Sequence, residues 1–411
     1  MNLEFFIARR LIGSGQNKSS ISAPIIKIAI IAIAIGVVMM LVSFATGLGL
    51  QQKIREKMSA FTGHISISSY DNNYSQVSIE PISIDQEFYP EFTAVEGVAH
   101  VQPTAYKAGV IRTATDFEGV IVKGVSSDFN WSYFKDFLVA GKLPDYSGEL
   151  NDQILISSYM ANRLGFKVGD KVVTYFLREE SYKTPLLRAF VITGIYNSGF
   201  ADFDELYLLA DLRHIQRLNN WEEDQIGSFE VFLEDFDQLE EKGEEIYTQT
   251  GSLLDTQTIK QKYYSIFEWL SLFDFNIALI IGIMILVAGI NMITALLVLI
   301  LERTQMIGIL KALGSADWSI RKIFLYNAGY LIVLGLFWGN LIGIGLLLAQ
   351  KYFNLVPLNP ETYYVTQAPV YLGWEYIVAV NLGTLVLCML MLLVPSYIIS
   401  RISPVKAIKF E

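Results

Sequence analysis

Four long apolar runs punctuate this chain, at residues 28–48, 277–301, 323–349 and 376–399. Ser43 and Thr46 are the only polar side chains in the first. A helix rises 1.5 Å per residue, so about twenty such residues cover the ~30 Å hydrocarbon core of a bilayer, and each run predicts a spanning helix. A cleavable signal does not account for the first run. It is too long for an h-region, starts well inside the chain and lacks a small-x-small exit.

Between the first two runs the period shortens. The first helix is expected to continue to about residue 59, after which residues 64–68 alternate as a half-buried strand does. Further strands are predicted at 98–102, 109–113, 120–123, 153–156, 171–176, 189–195 and 229–232, and helices at 158–164, 210–218 and 236–250. Strands mixed with helices and separated by Gly, Pro and Asp turns imply an α+β domain, and its length suggests two subdomains. Ahead of the first run, residues 2–11 carry apolar side chains at 3, 6, 7 and 11 and end in Arg9 and Arg10, the pattern of an interfacial helix.

Lys and Arg in the short flanks orient the spans. The N-terminal flank, the loop after the second span and the tail together hold eleven basic residues against four acidic ones, which places all three in the cytoplasm. Residues from about 50 to 270, with 19 basic and 34 acidic side chains, then lie on the opposite side. The expected order is a cytoplasmic helix and linker (1–24), a span (25–50), the outer domain (51–270) and a second span (271–301). A cytoplasmic loop (302–322), a span (323–350), an outer loop (351–375), a fourth span (376–400) and a tail (401–411) follow. The fold class is thus an α-helical membrane domain of four transmembrane helices, one before and three after a large α+β domain.

The acidic outer domain argues against nucleic acid and against electrostatic docking to anionic headgroups. One cysteine, Cys388, falls in the fourth run, so the outer domain has no disulfide framework. Residues 13–19 superficially resemble a phosphate-binding loop, but Asn17 and Ile12 stand where that motif needs glycine. His64, His100 and His214 have no metal-ligand spacing, and neither G-x-S-x-G nor His-Glu-x-x-His occurs. Catalytic residues and metal ligands are therefore expected to be none. Asn291, Asn327, Asn340 and Asn381 read as interhelical hydrogen-bond partners, and Gly335, Gly339 and Gly343 as a face for close helix packing.

One segment stands apart. Residues 301–314 form a short charged amphipathic helix pattern between two apolar runs, with Met306, Ile309, Leu310 and Leu313 on one face and Lys311 turned away. Gly314 can end the helix in a left-handed conformation, and Asp317 can cap the next. A force-transmitting element and a plain helical hairpin resting on lipid both fit these residues.

Glu302-Arg303-Thr304-x-x-Ile307-Gly308-Ile309-Leu310-Lys311-Ala312-Leu313-Gly314 resembles the cytoplasmic signature of FtsX-like permeases, the membrane subunits of MacB-type ABC transporters. Met306 stands where an acidic residue is common. The tail Ile402-Ser403-Pro404-Val405-Lys406-Ala407-Ile408-Lys409 is similar to the closing motif of that superfamily. Phe6-Ile7-Ala8-Arg9-Arg10, Phe61-Thr62-Gly63-His64-Ile65, Val122-Lys123-Gly124-Val125 and Ala161-Asn162-Arg163-Leu164-Gly165 resemble the lipoprotein-releasing permeases of the LolC/LolE family.

The resemblance implies a dimeric, non-catalytic permease paired with cytoplasmic LolD-like ABC ATPase subunits, which bind ATP and Mg. It would extract lipoproteins from the inner membrane and hand them to a periplasmic LolA-like carrier. Glu302, Arg303, Met306, Ile307, Gly308, Ile309, Leu310, Lys311, Leu313 and Gly314 would couple to the ATPase. Met39, Met40, Phe44, Leu48, Ile281 and Ile285 would line the lipoprotein cavity. A loop at 176–186, with Phe176, Arg178, Glu179, Tyr182, Lys183 and Pro185, would engage the carrier, although a long hairpin without that role reads the same way. A MacB-type efflux permease and a transmembrane signalling subunit are the alternatives.

Overall fold

The structure is a computed structural model, and it describes residues 3–13, 22–72, 75–178 and 181–403. The chain divides into two compact units. One comprises Met1–Gln51, Trp269–Pro357 and Gln367–Glu411, the other Gln52–Glu268 and Leu358–Thr366.

The first unit is helical, with α1 (Leu3–Gly13), α2 (Ser22–Thr62, its residues beyond Gln51 belonging to the second unit) and α3 (Tyr264–Glu302, its residues before Trp269 belonging to the second unit). After these come α4 (Thr304–Ala312), α5 (Asp317–Phe353), α6 (Trp374–Ser396) and α7 (Ile398–Arg401). Among the described residues four helices are long and apolar enough to cross a membrane, at Pro24–Thr62, Tyr264–Glu302, Asp317–Phe353 and Trp374–Arg401. Their packed faces form one core, with Ile33, Val37 and Met40 of α2 meeting side chains such as Met292, Phe324 and Leu392.

The glycine face of α5 closes on α2. A Cβ at Gly335 would stand 2.7 Å from Ile33 Cβ, and one at Gly339 would stand 2.7 Å from Val37 Cβ. Only glycine lets the two backbones approach this closely. Asn340 and Asn381 exchange side-chain hydrogen bonds of 2.6 and 2.9 Å between α5 and α6, so each amide is satisfied inside the apolar bundle. Gln51 Nε2 donates to Asp274 Oδ1 at 2.8 Å. The edge of the Phe5 ring in α1 meets Tyr326 of α5, and Glu4 pairs with Lys322 at 3.7 Å.

Among the described residues the second unit holds twelve strands. They are β1 (Ile65–Ser69), β2 (Ile82–Ser83), β3 (Val98–Arg112), β4 (Phe117–Val125), β5 (Leu138–Gly141) and β6 (Gln153–Ser157). The remainder are β7 (Lys171–Arg178), β8 (Ser181–Tyr196), β9 (Tyr207–Asp211), β10 (Gln225–Ile226), β11 (Ser228–Leu233) and β12 (Leu254–Thr258). Ten form one sheet ordered β12-β1-β11-β3-β4-β9-β6-β8-β5, with β7 paired to β3 and β8; β10 and β2 form a small second sheet. The main strand order is continuous, so the two subdomains expected from length are not separated by a break in this sheet.

Other differences have local causes. The two strands expected at 98–102 and 109–113 are one, because β3 pairs with β4 in unbroken register from Thr104 to Arg112. The helix expected from residue 210 starts at Leu212, since Tyr207–Asp211 is β9 and runs parallel to β4. All five β9 residues are buried, and a strand buried on both faces shows no alternation to read.

Phe61, in the last turn of α2, is fully buried among Phe134, Tyr196, Phe203 and Tyr207. Beside it Lys123 Nζ donates to the Phe61 carbonyl at 2.7 Å and pairs with Glu230 at 2.8 Å, both side chains buried. Gln102 and Tyr106 donate to the same carboxylate. Burial pulls the Lys123 ammonium below its ordinary range, while Glu230 opposes that shift. Removing either partner would strand a buried charge.

Candidate functional site

The charged segment after α3 folds as the separate helix α4, bounded by Arg303 in a non-helical conformation and by Gly314 at φ +87. Gly314 N donates to Lys311 O and Ser315 N to Leu310 O, both at 3.0 Å, which closes the helix through the left-handed glycine. Asp317 does not cap α5. The N-cap is Ala316, and Asp317 instead pairs with Lys311 at 2.9 Å.

The faces of α4 differ from those read in the sequence. Ile307 and Gly308 are buried, and Met306 and Leu310 pack against the apolar core of the first unit. Ile309 is 48% exposed and Leu313 77% exposed, so the apolar side chains split into an inward and an outward pair. Lys311 is not turned away. Its side chain is only 10% exposed, and Nζ donates to the carbonyls of Ser400 at 3.1 Å and Ile402 at 3.0 Å. One ammonium thus ties α4 to the residues around α7 and to the first turn of α5. Nothing in the spacing of residues 301–314 announces this, because two of the three acceptors are backbone carbonyls some ninety residues away. Glu302, at the end of α3, is exposed, and Arg303 is half-buried. Met306 faces the core, which accounts for an apolar residue at that position. Arg321, one turn into α5, donates to Ser396 Oγ and the Leu393 carbonyl and lies over the Trp318 and Tyr397 rings. The tail from Pro404 onward lies outside the described residues.

The six residues assigned to a lipoprotein cavity are placed unequally. Met39 is exposed and lines an apolar groove of about 510 Å³ with Ile31, Ile35, Trp338 and Ile342, and Lys27 also borders it. Its walls come from α2 and α5. Met40, by contrast, is 1% exposed and belongs to the helical core, so its assignment to the cavity wall is corrected: it follows Met39 by 100° around the helix and faces the bundle. Phe44, Ile281 and Ile285 pack half-buried against the same core, and Leu48 is also half-buried.

The segment 176–186 is not a loop. β7 and β8 pair through Phe176↔Leu186 and as far as Arg178↔Ser181, so most of it is a two-stranded arm. Phe176 is fully buried and unavailable to a partner, whereas Leu177, Pro185 and Leu187 are exposed. Glu179 lies outside the described residues, as do the side chains of Arg178, Tyr182 and Lys183.

Known proteins share this construction. The family described as MacB-like periplasmic core domain matches residues 28–248, more than half the chain, and FtsX-like permease C-terminal matches residues 278–404. The lipoprotein-releasing system transmembrane protein LolC of Xylella fastidiosa (strain 9a5c) is 20% identical over 403 residues, covering 93% of both chains. LolE of Haemophilus influenzae is 22% identical and covers 99% of both. The periplasmic region of MacB from Actinobacillus actinomycetemcomitans aligns with 53% of this chain and 97% of its own, at 12% identity and a TM-score of 0.35. A MacB-like core domain matched from residue 28, an FtsX-like C-terminal region and relatives matched along nearly the whole length place this chain in the FtsX-like, MacB-type family of ABC transporter permeases, with the LolC and LolE proteins among its relatives.

Proposed function

We propose that this chain is the permease subunit of an ABC transporter that extracts lipoproteins from the inner membrane and passes them to a periplasmic carrier. The observation that carries the reading is the two-sided α4. Its inner side is packed into the helical core and anchored through Lys311, while Ile309 and Leu313 remain outside for a cytoplasmic ATPase. An element built this way passes displacement of its outer face into α5 and the tail rather than absorbing it. The end-to-end match to proteins named for lipoprotein release supports the choice of substrate.

In this reading one span precedes the outer domain and three follow, both termini are cytoplasmic, and the domain is periplasmic. Basic residues gathered in the flanks and tail support that orientation. ATP and Mg belong to the ATPase, a second permease protomer completes the dimer, and Met39 with its groove contacts acyl chain. The β7–β8 arm, through Leu177 and Leu187, meets the carrier. Reconstitution in proteoliposomes with the ATPase, a lipoprotein and the carrier is expected to give ATP-dependent transfer of the lipoprotein to the soluble fraction. ATP hydrolysis without transfer would reject the substrate assignment.

A further inference from the structure

A second site lies in the α+β unit, away from every residue assigned above. A pocket of about 270 Å³ opens beside the end of α2, between residues 75–78 and the helix Ile259–Lys262. At ~30 Å³ per water it has room for on the order of nine waters, the size of a small polar molecule. The chain is acidic, with 41 Asp and Glu against 31 Lys and Arg, yet no carboxylate lines this pocket among the described residues. Glu230, behind Tyr106, is already committed to Lys123, Tyr106 and Gln102.

The lining is rich in unused donors. Ser75 Oγ accepts from Val77 N at 3.1 Å and Ser78 Oγ from Tyr106 N at 3.0 Å, which leaves each O–H free to donate. Tyr207, Tyr263 and Lys262 line the same space, and their hydroxyls and ammonium make no hydrogen bond among the described residues. Tyr207 is 9% exposed, its ring held between Phe61, Tyr106 and Phe203, so its hydroxyl is fixed in place. One ammonium and four hydroxyl-bearing side chains line a wall without a carboxylate, and Glu230, which acts on Lys262 from behind that wall, is already held by three other donors. A phosphoester, with several strong acceptor oxygens, satisfies such a set, and Ser66 and Gln76 can meet hydroxyls on the same ligand.

We propose that this pocket binds a small hydroxylated phosphoester of the glycerophosphate class, with Lys262 as its charge partner. The test is titration calorimetry on the full chain in detergent with sn-glycerol 3-phosphate. Saturable binding is expected, weakened about tenfold or more by Lys262→Met, as loss of a charged hydrogen-bond partner implies. Tyr263→Phe, which removes only a hydroxyl, should weaken it less. Lys260→Met, on the same short helix but paired with Glu240 at 3.3 Å, should leave it unchanged. Competition by phosphatidylglycerol nanodiscs but not phosphatidylcholine ones would identify a lipid headgroup as the natural source; no competition would identify a soluble phosphoester. No saturable binding at about 10 mM, the weak limit of specific recognition, overturns the proposal. So does equal weakening by Lys262→Met and Lys260→Met, which would mean charge screening alone.

Discussion

Lys311 donates to Ser400 and Ile402 and pairs with Asp317, and this leaves the outward face of α4 to Ile309 and Leu313. Ile309→Asp or Leu313→Asp should therefore weaken ATPase association about tenfold or more, ~1.4 kcal/mol, without lowering the thermal stability of the solubilised permease. Leu310→Asp should behave oppositely and destabilise the helical unit, because it drives a carboxylate into the apolar core. Undiminished co-purification of the ATPase with Ile309→Asp would remove α4 as the docking element. In the α+β unit, His64 is buried and its Nδ1 accepts from Leu233 N at 2.9 Å, with the Phe232 and Phe236 rings alongside. Burial lowers its pKa from 6.5 to about 4. Since the unfolded chain takes up the proton first, stability is complete above pH 6.5 and falls as pH drops from 6.5 towards 4, by up to about 3 kcal/mol. Urea unfolding followed by circular dichroism across that range should show the loss, and His64→Gln, which keeps an acceptor, should flatten it. An identical slope in that variant would acquit His64. The sequence identified α4 as the segment of interest but assigned its faces from periodicity alone, which cannot see a lysine drawn inward by distant carbonyls.

Helix packing in the first unit rests on glycines that differ sharply in surroundings. A side chain at Gly339 meets Val37 Cβ at 2.7 Å and the Ala34 carbonyl at 2.9 Å, whereas one at Gly345 meets nothing within 4 Å. Gly339→Ile should push α5 from α2 and cost about 1–3 kcal/mol, visible as a lower melting temperature in detergent. Gly345→Ala should leave that temperature unchanged or raise it slightly, since alanine favours the helix. Equal effects from the two would mean that the glycine face does not set the spacing. The stripe itself was legible, because a four-residue repeat of glycine in an apolar helix has one common meaning. Its partner helix was not, as all four runs are similarly apolar and none advertises which neighbour it needs. The β7–β8 arm shows the converse case: alternation marked the strand bodies, while the polar and charged residues between them read as loop until pairing extended both strands.

Topology can be tested on the intact cell. Cys388, the one native cysteine, is buried, so new cysteines at exposed sites can be distinguished from it. Ser252→Cys should react with a membrane-impermeant maleimide in spheroplasts, and Ala312→Cys only after the membrane is opened; the reverse pattern would invert the orientation. Four helices long and apolar enough to cross a membrane and the mixed α+β character of a large domain were legible from local properties. Hydropathy over twenty residues, period along a strand and charge in a flank depend on neighbours in the chain and survive without knowledge of contacts. The inward turn of Lys311, the burial of Met40 beside exposed Met39, the buried β9 and the donor-lined pocket around Lys262 were decided only by folding. Each joins segments far apart in the chain, often through backbone carbonyls or ring faces common to many residue types, and pairings of that kind leave no local trace.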